Sequence, residues 1–450
     1  MSIIILRQIF LKKRINPARR VALGFAVLII AGALLFMLPV SSKARVWTPF
    51  LTALFTSTSA TCVTGLTLIN AGEYLSLFGQ AVLLILIQLG GLGFMTILSL
   101  AFFASNKQIG LRNRIMMAQS VGSESLDGVV KLVKHVLCIT GIVELAGAAA
   151  LSVRFVPQYG VLKGIWFGIF HSVSAFCNAG FDLTGSSMLT YKHDSLVLIT
   201  LAALIIIGGL GFLVWEDILT KKSLKRLSMY SKVVLVTTAV CLALGTAVYF
   251  VLEYNNPETI GSDSAGCKLL SAFFQSVTTR TAGFDAISQN NLTDLSKVWG
   301  IILMMIGGAS GSTAGGVKVG TAALVALTLY SVLRSRRDVV ILGRRVEHRV
   351  ILHAMSLMVM WLILTVAGAM LVAFADNRTI LGAMYETASA YSTVGLTVGI
   401  SETASLFTQI LYIIYMFFGR VGIMTISVMF MTRSGKSNEI RYPEGNFIIG

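Results

Sequence analysis

The feature that most constrains this 450-residue chain is a series of eight long apolar segments. A helix that crosses a bilayer needs about 20 apolar residues. Segments of that kind lie at residues 21–41, 78–103, 134–155, 195–219, 232–253, 298–333, 353–375 and 406–431. Because 55% of the residues are hydrophobic and only 12% are charged, a water-soluble domain could not hide this surface. The sequence therefore predicts an all-α, multi-pass membrane protein.

The excess of positive charge gives the segments an orientation. Lys and Arg total 36 against 20 Asp and Glu, for a net charge of +16. If both termini are cytoplasmic, 25 of the 36 basic residues fall in inner segments, while the outer segments hold more acidic than basic residues. This positive-inside pattern predicts a plasma-membrane protein with cytoplasmic termini and with basic flanks that contact anionic lipids. A nucleic-acid partner is not needed to explain the charge.

A second pattern indicates four internal copies of one unit. In the loops after the first, third, fifth and seventh spans, an aromatic residue stands nine or ten positions before a glycine. The aromatic residues are Phe55, Phe170, Phe274 and Tyr385, and the glycines are Gly65, Gly180, Gly283 and Gly395. A further glycine cluster begins 24 to 28 residues later in each copy, at Gly90, Gly208, Gly307 and Gly419.

Each copy is interpreted as a membrane helix, a pore half-helix and a second membrane helix, and the four copies are expected to surround one central ion pore. The predicted repeats are 21–115, 116–231, 232–340 with a broken sixth span at 307–316, and 341–433, between a cytoplasmic N-terminus at 1–20 and a C-terminal tail at 434–450. The first half-helix, ending near Ala60, is too short to cross a bilayer and is therefore re-entrant. Thr48 is expected to cap it, and Pro49 to occupy its first helical position.

The ends of these half-helices favour a cation. Each C-terminus brings about half a negative charge of helix dipole toward the membrane centre. Irregular backbone beyond it must line a water-filled or protein-buried site, and rings of backbone carbonyls replace the water shell of K⁺ in channel filters. The candidate K⁺-binding residues, acting through backbone carbonyls, are Val63, Thr64, Gly65, Asn178, Ala179, Gly180, Thr281, Ala282, Gly283, Thr393, Val394 and Gly395. The alternative is that the glycines serve only as helix contacts.

Over nearly its whole length the chain resembles the superfamily of K⁺ transporters built from four membrane–pore–membrane repeats. Phe181-Asp182 and Phe284-Asp285 after two of the glycines, with the broken sixth span, make it look most like the membrane subunit of the Ktr system of bacterial Na⁺-dependent K⁺ uptake. The resemblance implies K⁺ as substrate, Na⁺ as co-ion or activator, and a homodimer docked on a ring of cytosolic nucleotide-binding regulatory subunits. Because the sequence has no P-loop or Rossmann motif, any nucleotide control comes from another chain, and no covalently bound cofactor is expected.

A gate is predicted below the glycines. The interruption at 307–316 contains five glycines, each costing up to about 1 kcal/mol in a helix, so we expect a flexible intramembrane loop; a helix-packing face is the alternative. Arg420 occupies the matching place in the eighth span, where a charge is costly. We expect it to oppose cation passage, or alternatively to pair with Glu144. The candidate gate residues are Gly307, Gly308, Ser310, Gly311, Gly315, Gly316, Lys318 and Arg420.

Three further positions carry expectations. Arg280, three residues before Gly283, is expected to form a salt bridge with an outer acid behind the filter. The apolar end of the chain is hard to leave in water, so Gly450 is expected at a subunit interface. The basic stretch at 334–345 is either a lipid-facing flank or a contact for an acidic cytosolic partner.

Two other functions fit parts of the sequence. Gly308-Ala309-Ser310-Gly311 matches the G-x-S-G box of intramembrane serine proteases, but the predicted topology places the five histidines away from Ser310, so no enzyme is expected. A coupled Na⁺/K⁺ carrier shares the pore elements and would need a mid-membrane acid, for which Glu144 is the candidate. A channel-like path is favoured, and the coupled carrier stays open.

Overall fold

Residues 17–93, 129–336 and 338–422 are described by a computed structural model, and they are mostly helical. The α-helices are Pro17–Met37, Phe50–Cys62, Ala71–Tyr74, Leu77–Leu92, Val129–Tyr159, Val161–Phe176, Ser195–Gly209, Phe212–Lys221, Met229–Glu253, Ala265–Thr278, Asp294–Met305, Val319–Leu333, His348–Asp376, Ile380–Ser392 and Leu406–Val421. Short 3₁₀ turns lie at Pro39–Ser41, Leu189–Tyr191, Leu224–Arg226 and Ser401–Thr403. The predictions for the first 16 residues, for the segment 94–128 and for the tail with Gly450 fall outside the described residues.

Long apolar helices identify the chain as a membrane protein. Within the described ranges, Val130–Tyr159, Met229–Glu253 and His348–Asp376 are long and apolar enough to cross a bilayer. Shorter apolar helices occupy other predicted spans. Large apolar side chains are exposed along the long helices, such as Leu145 at 70% and Phe374 at 91%, and such a surface suits lipid rather than water.

The fourth span differs from its prediction as one helix over 195–219. Ser195–Gly209 and Phe212–Lys221 meet at an angle of 91°. Gly211 at the junction has a φ of 89°, a left-handed conformation that a right-handed helix cannot contain. The fourth span is therefore broken at its glycine cluster, as the sixth span is.

The described residues are also not entirely helical. Val340–Ile341 pairs antiparallel with Arg344–Arg345, so that a two-stranded hairpin follows the sixth span. It lies on the predicted boundary between the third and fourth repeats. The all-α class is correct for the spans but not for this hairpin.

A buried helix precedes each of the four aligned glycines. These helices, called half-helices 1 to 4, are Phe50–Cys62, Val161–Phe176, Ala265–Thr278 and Ile380–Ser392. Their aromatic residues Phe55, Phe170, Phe274 and Tyr385 are all 0% exposed. The repeated aromatic position therefore anchors each half-helix in the protein interior, where large rings bury the most surface.

The start of half-helix 1 corrects one prediction. The helix begins at Phe50, and Pro49 is its N-cap with no side-chain capping bond. The hydroxyl of Thr48 lies 3.0 Å from that of Tyr74 instead. The prediction that Thr48 caps the helix and that Pro49 is its first residue is wrong, because Tyr74 engages the hydroxyl and Pro49 stays extended with a ψ of 140°.

The glycine clusters of the second, fourth and eighth spans let these helices touch the half-helices. A Cβ atom on Gly90, Gly208 or Gly419 would lie 2.1, 1.9 or 2.0 Å from a half-helix carbonyl oxygen. The contacted carbonyls belong to Thr61, Phe176 and Tyr391, each six residues after the buried aromatic. Glycine is required at these three places because any side chain would push the span away from the half-helix.

Candidate functional site

The four aligned glycines meet where the half-helices end. Each faces the carbonyl of the residue that precedes the glycine of the next repeat. The pairs are Gly65 with Ala179, Gly180 with Ala282, Gly283 with Val394 and Gly395 with Thr64, and a Cβ atom on these glycines would lie 2.5, 2.8, 2.4 and 2.1 Å from the respective carbonyl oxygens. Because Gly395 of the fourth repeat faces Thr64 of the first, the contacts run through all four repeats and return to the start. Gly65, Gly180, Gly283 and Gly395 are here called the glycine ring. The space beside each ring glycine excludes a side chain.

The backbone before the ring has the same unusual shape in every repeat. The residues two positions before the ring glycines are Val63, Asn178, Thr281 and Thr393, with φ angles of 58°, 59°, 70° and 52°. The ring glycines themselves have φ angles of 98°, 69°, 79° and 95°. Left-handed residues thus alternate with an ordinary one, and for β-branched Val and Thr this conformation is strained. Strain of one form at four matched positions points to a function for the carbonyls there.

A hydroxyl group supports the backbone at a constant distance in sequence from the buried aromatic. In repeats 1 and 4 it accepts a hydrogen bond from the N–H of the ring glycine, at 3.0 and 3.1 Å. In repeats 2 and 3 it donates to the carbonyl just after the ring glycine, at 2.8 Å in both. The hydroxyls belong to Ser59, Ser174, Thr278 and Ser389. Sequence reasoning missed them, although their shared position four residues after the aromatic was a usable signal.

A cavity of about 490 Å³ adjoins the ring, and all four ring glycines line it. Asp182, Asp285 and Glu402 also line it. Asp285 lies between half-helix 3 and the sixth span, and burial, with the neighbouring charge of Asp182 as a smaller cause, raises the pKa of its carboxyl. Three acidic side chains along one cavity favour a cation there over an anion.

In half-helices 2 and 4, the residue directly after the buried aromatic forms hydrogen bonds with the segment that follows the ring glycine. Glu386 is 0% exposed, and its carboxylate accepts hydrogen bonds from the N–H groups of Val398 at 3.0 Å and Ser401 at 2.7 Å. His171 Nε2 accepts one from the N–H of Leu183 at 3.3 Å. Val398 and Leu183 each stand three residues after a ring glycine. Sequence reasoning missed this link, because an acid and a histidine at matching positions do not look alike.

The sixth span is interrupted by residues 306–318, here called the intramembrane loop, between the helix that ends at Met305 and the one that begins at Val319. The two ends of the loop are joined, because the N–H of Gly307 donates to the carbonyl of Val317 at 2.9 Å. The predicted interruption at 307–316 lies within this loop.

The returning half of the loop lies against the glycine ring. A Cβ atom on Gly315 would lie 2.6 Å from the carbonyl oxygen of Ser392, which ends half-helix 4. The Lys318 ammonium donates to the carbonyl of Ala314 at 2.7 Å and so stays within the loop. The loop therefore packs directly against the backbone that leads to Gly395.

The tip of the loop fits into the bend of the fourth span. The N–H of Ala309 donates to the carbonyl of Gly209 at 2.9 Å, and the N–H of Phe212 donates to the carbonyl of Gly311 at 2.8 Å. Each break exposes backbone groups that the other satisfies, which an interior requires. The broken fourth span and the broken sixth span thus form one structural unit.

The guanidinium of Arg420 joins this loop to the first repeat. It donates to the carbonyls of Thr313, Gly90 and Gly91, the last at 3.0 Å. Its acceptors in the described part of the chain are backbone carbonyls, which share a positive charge without neutralising it. Arg420 therefore places a net positive charge beside the loop.

Two predicted ion pairs are replaced by other contacts. Glu144 accepts hydrogen bonds from the Gln88 amide at 3.0 and 3.1 Å, so the alternative that pairs Glu144 with Arg420 is wrong. Arg280 was expected to meet an outer acid, but its Nη2 donates to the carbonyl of Gly307 at 3.1 Å. The salt-bridge prediction is wrong because the side chain of this buried residue reaches the base of the loop instead.

Ser310, the serine of the G-x-S-G match, has no hydrogen bond to a histidine among the described residues. Its backbone N–H donates to the hydroxyl of Tyr230 at 3.0 Å, and its carbonyl lies 3.4 Å from the same hydroxyl. His171 is engaged by Phe167 and Leu183. The described geometry supplies no nucleophile–base pair at Ser310.

Comparison with known proteins places these features in a family. Residues 28–440 match the TrkH family, described as a cation transport protein. The chain is 37% identical to the potassium/sodium uptake protein NtpJ of Enterococcus hirae, over 98% of both chains. It is 36% identical to the Ktr system potassium uptake protein B of Bacillus subtilis, over 97% of both chains. These matches confirm the resemblance seen in the sequence.

A solved structure shares the fold. The crystal structure of the potassium transporter TrkH from Vibrio parahaemolyticus matches with a TM-score of 0.75, over 93% of this chain and 86% of that one. Sequence identity to it is 19%, so the likeness concerns the fold.

Proposed function

Because this chain belongs to the TrkH family of cation transport proteins, we propose that it is the K⁺-conducting membrane subunit of a Ktr-type uptake system. K⁺ passes through the glycine ring along a channel-like path. The names of the relatives from Enterococcus hirae and Bacillus subtilis support potassium as the cargo. The protein then acts as a transporter and not as an enzyme.

The closed order of the glycine ring is the observation that carries this proposal. Four half-helices end at one place, where their dipoles together favour a cation. The irregular backbone that follows each half-helix has left-handed residues at matched positions, which turn successive carbonyls to the same side. Carbonyls presented in this way substitute for the hydration shell of K⁺, and the selectivity filter consists of the three residues that end at each ring glycine.

The intramembrane loop and Arg420 form the gate. The loop packs against the backbone between half-helix 4 and Gly395, and Arg420 holds a positive charge beside the loop. At about 4 Å and an effective dielectric constant of about 20, such a charge costs a passing cation on the order of 4 kcal/mol. Conduction therefore requires the loop and the guanidinium to move together.

The assembly follows the resemblance. The protein forms a homodimer in the plasma membrane, with cytoplasmic termini, with Gly450 at the subunit interface and with anionic lipids at its basic flanks. A separate cytosolic ring of nucleotide-binding subunits controls it, and the description of the Bacillus subtilis relative as protein B of a system supports a multi-subunit arrangement. Na⁺ acts as co-ion or activator.

The test is ion flux into liposomes that contain this chain alone, with K⁺, Rb⁺ and Na⁺ compared. Gly395→Ser is the variant and Gly399→Ser the matched control, since φ is 95° at Gly395 and 88° at Gly399. A Cβ atom on Gly395 would lie 2.1 Å from a carbonyl oxygen of the ring, whereas nothing lies within 4 Å of one on Gly399. We expect Gly395→Ser to lose K⁺ preference and Gly399→Ser to resemble the parent.

Each other outcome has a clear reading. Equal kinetics in both variants would contradict the ring as the filter. Flux of K⁺ that requires Na⁺ in a fixed ratio would favour a coupled carrier over a channel-like path. Cleavage of a peptide by a parent that carries no ions would favour the intramembrane protease.

A further inference from the structure

Tyr230, which lies outside the intramembrane loop, forms hydrogen bonds with the tip of that loop. Its hydroxyl accepts a hydrogen bond from the N–H of Ser310 at 3.0 Å and lies 3.4 Å from the carbonyl of the same residue. One side chain thus engages both backbone groups of one loop residue, 80 positions away in the chain.

The ring of Tyr230 is wedged between three parts of the gate region. It packs on a small apolar cluster that contains Leu210 and Val214 from the bend of the fourth span and Ala309 from the loop. A Cβ atom on Gly320, just after the loop, would lie 3.5 Å from the edge of the ring. The packing of the ring against the fourth span and the helix after the loop therefore holds the hydroxyl beside the tip of the loop.

The residues before Tyr230 fix this position further. Ser228 caps the helix Met229–Glu253 by accepting from the N–H of Ser231, and its own N–H donates to the Asp217 carboxylate at 2.8 Å. Asp217 belongs to the second half of the bent fourth span and pairs with Lys221 at 2.6 Å. Tyr230 is thus mounted where the fourth and fifth spans meet, outside the loop.

The glycine-rich part of the loop has few side chains that could pack to hold it. Glycines make up half of residues 307–316, and the rest are Ala, Ser and Thr. Small side chains give weak packing, so bonds from outside decide how much of the time such a segment stays in one place.

We propose that Tyr230 is a positioning residue that latches the tip of the intramembrane loop in the closed arrangement, an inference that rests on the proposed function. The latch acts on the backbone of Ser310, so the identity of that side chain is immaterial to it. Opening the path requires the two contacts to break.

Tyr230→Phe tests the latch, because it removes the hydroxyl and keeps the ring. A neutral hydrogen bond contributes a few-fold to tenfold in an equilibrium, so the amides of residues 307–318 should exchange with deuterium about threefold to tenfold faster in the variant. The maximal rate of K⁺ uptake into liposomes should rise by a similar factor. The half-saturating K⁺ concentration and the K⁺/Na⁺ preference should stay at the parent values, because the ring is untouched.

Two controls separate the latch from a general loss of structure. Tyr330→Phe removes a hydroxyl from a residue that is 45% exposed on the helix after the loop, and it should leave exchange and uptake at parent values. Exchange in the helix His348–Asp376 should be the same in parent and variants. A merely destabilised protein would lose uptake, whereas loss of a latch raises it.

Unchanged loop exchange in Tyr230→Phe would overturn the latch. Faster exchange with an unchanged or lower uptake rate would show that the contact does not limit conduction, and would overturn the role assigned to it. Faster exchange in a protein whose parent carries no K⁺ would support the contact and overturn the proposed function instead.

Discussion

The glycine ring and the intramembrane loop are both glycine-rich backbone inside a membrane protein, but they are held in opposite ways. In each of the four repeats, a hydroxyl of the half-helix forms a hydrogen bond with the backbone at or just after the ring glycine. The loop is held by residues from other parts of the chain, which include the bend at Gly209, Tyr230, Arg280 and Arg420. Backbone supported from within its own repeat keeps its shape when neighbours move, whereas backbone supported from elsewhere follows them.

The largest effect is expected from a substitution that removes support from the intramembrane loop and leaves the glycine ring intact. Arg420→Ala removes the positive charge and the bonds to the loop, so the maximal K⁺ uptake rate should rise about tenfold to a hundredfold, within the few kcal/mol that such a charge is worth. The half-saturating K⁺ concentration should change much less, because the ring is intact. Uptake kinetics together with thermal unfolding check this, and Arg420→Lys, which keeps the charge, is the control. An Arg420→Ala protein with a lower rate and normal stability would contradict the barrier.

A graded effect is expected across the ring itself. An added methyl group should disturb Gly395 most, where a Cβ atom meets a carbonyl oxygen at 2.1 Å, and Gly180 least, where the distance is 2.8 Å. Crowding of this kind costs about 1–3 kcal/mol, so Gly395→Ala should lose about tenfold more K⁺/Na⁺ preference than Gly180→Ala. Competition flux with both ions measures it. The reverse order would mean that the contacts do not set the shape of the ring.

The smallest effect on K⁺ preference is expected from a substitution of Glu386 in half-helix 4, outside the glycine ring. Glu386→Gln replaces a carboxylate that accepts from backbone N–H groups, so stability should fall by about 1–3 kcal/mol and K⁺ preference by a few-fold. Thr56→Val is the matched control in half-helix 1, because within the described ranges the Thr56 hydroxyl donates to the carbonyl of Thr52 in its own helix. Thermal unfolding and competition flux measure both variants. Equal losses of preference in the two would contradict a special role for Glu386.

The parts of the fold that recur were predictable from the sequence. Phe55 or Gly65 alone is an ordinary residue, but the same spacing in four copies made each half-helix and the ring glycines recognisable. The structure brings those glycines together, while their binding of ions stays a prediction. The bend at Gly211 was within reach too, because its cluster matches that of the broken sixth span, but the continuous hydropathy of residues 195–219 favoured one helix.

The single-copy contacts were not predictable, for a physical reason. Arg280 and Tyr230 both bond to backbone groups, at Gly307 and Ser310. Every residue carries a carbonyl, so a backbone acceptor leaves no mark in the sequence. The expectation for Arg280 turned to acids because acids are the partners that a sequence displays.

Arg420 stands where the other three copies have Gly91, Gly209 and Gly308. A tetramer of identical subunits would acquire four arginines from one such codon change, and their mutual repulsion in a single cavity would be prohibitive at about 4 kcal/mol for a close pair. Fusing the copies into one polypeptide removes that restriction. Each of the four copies can then change by itself, so that one of them can carry a charge that the other three do not have to tolerate.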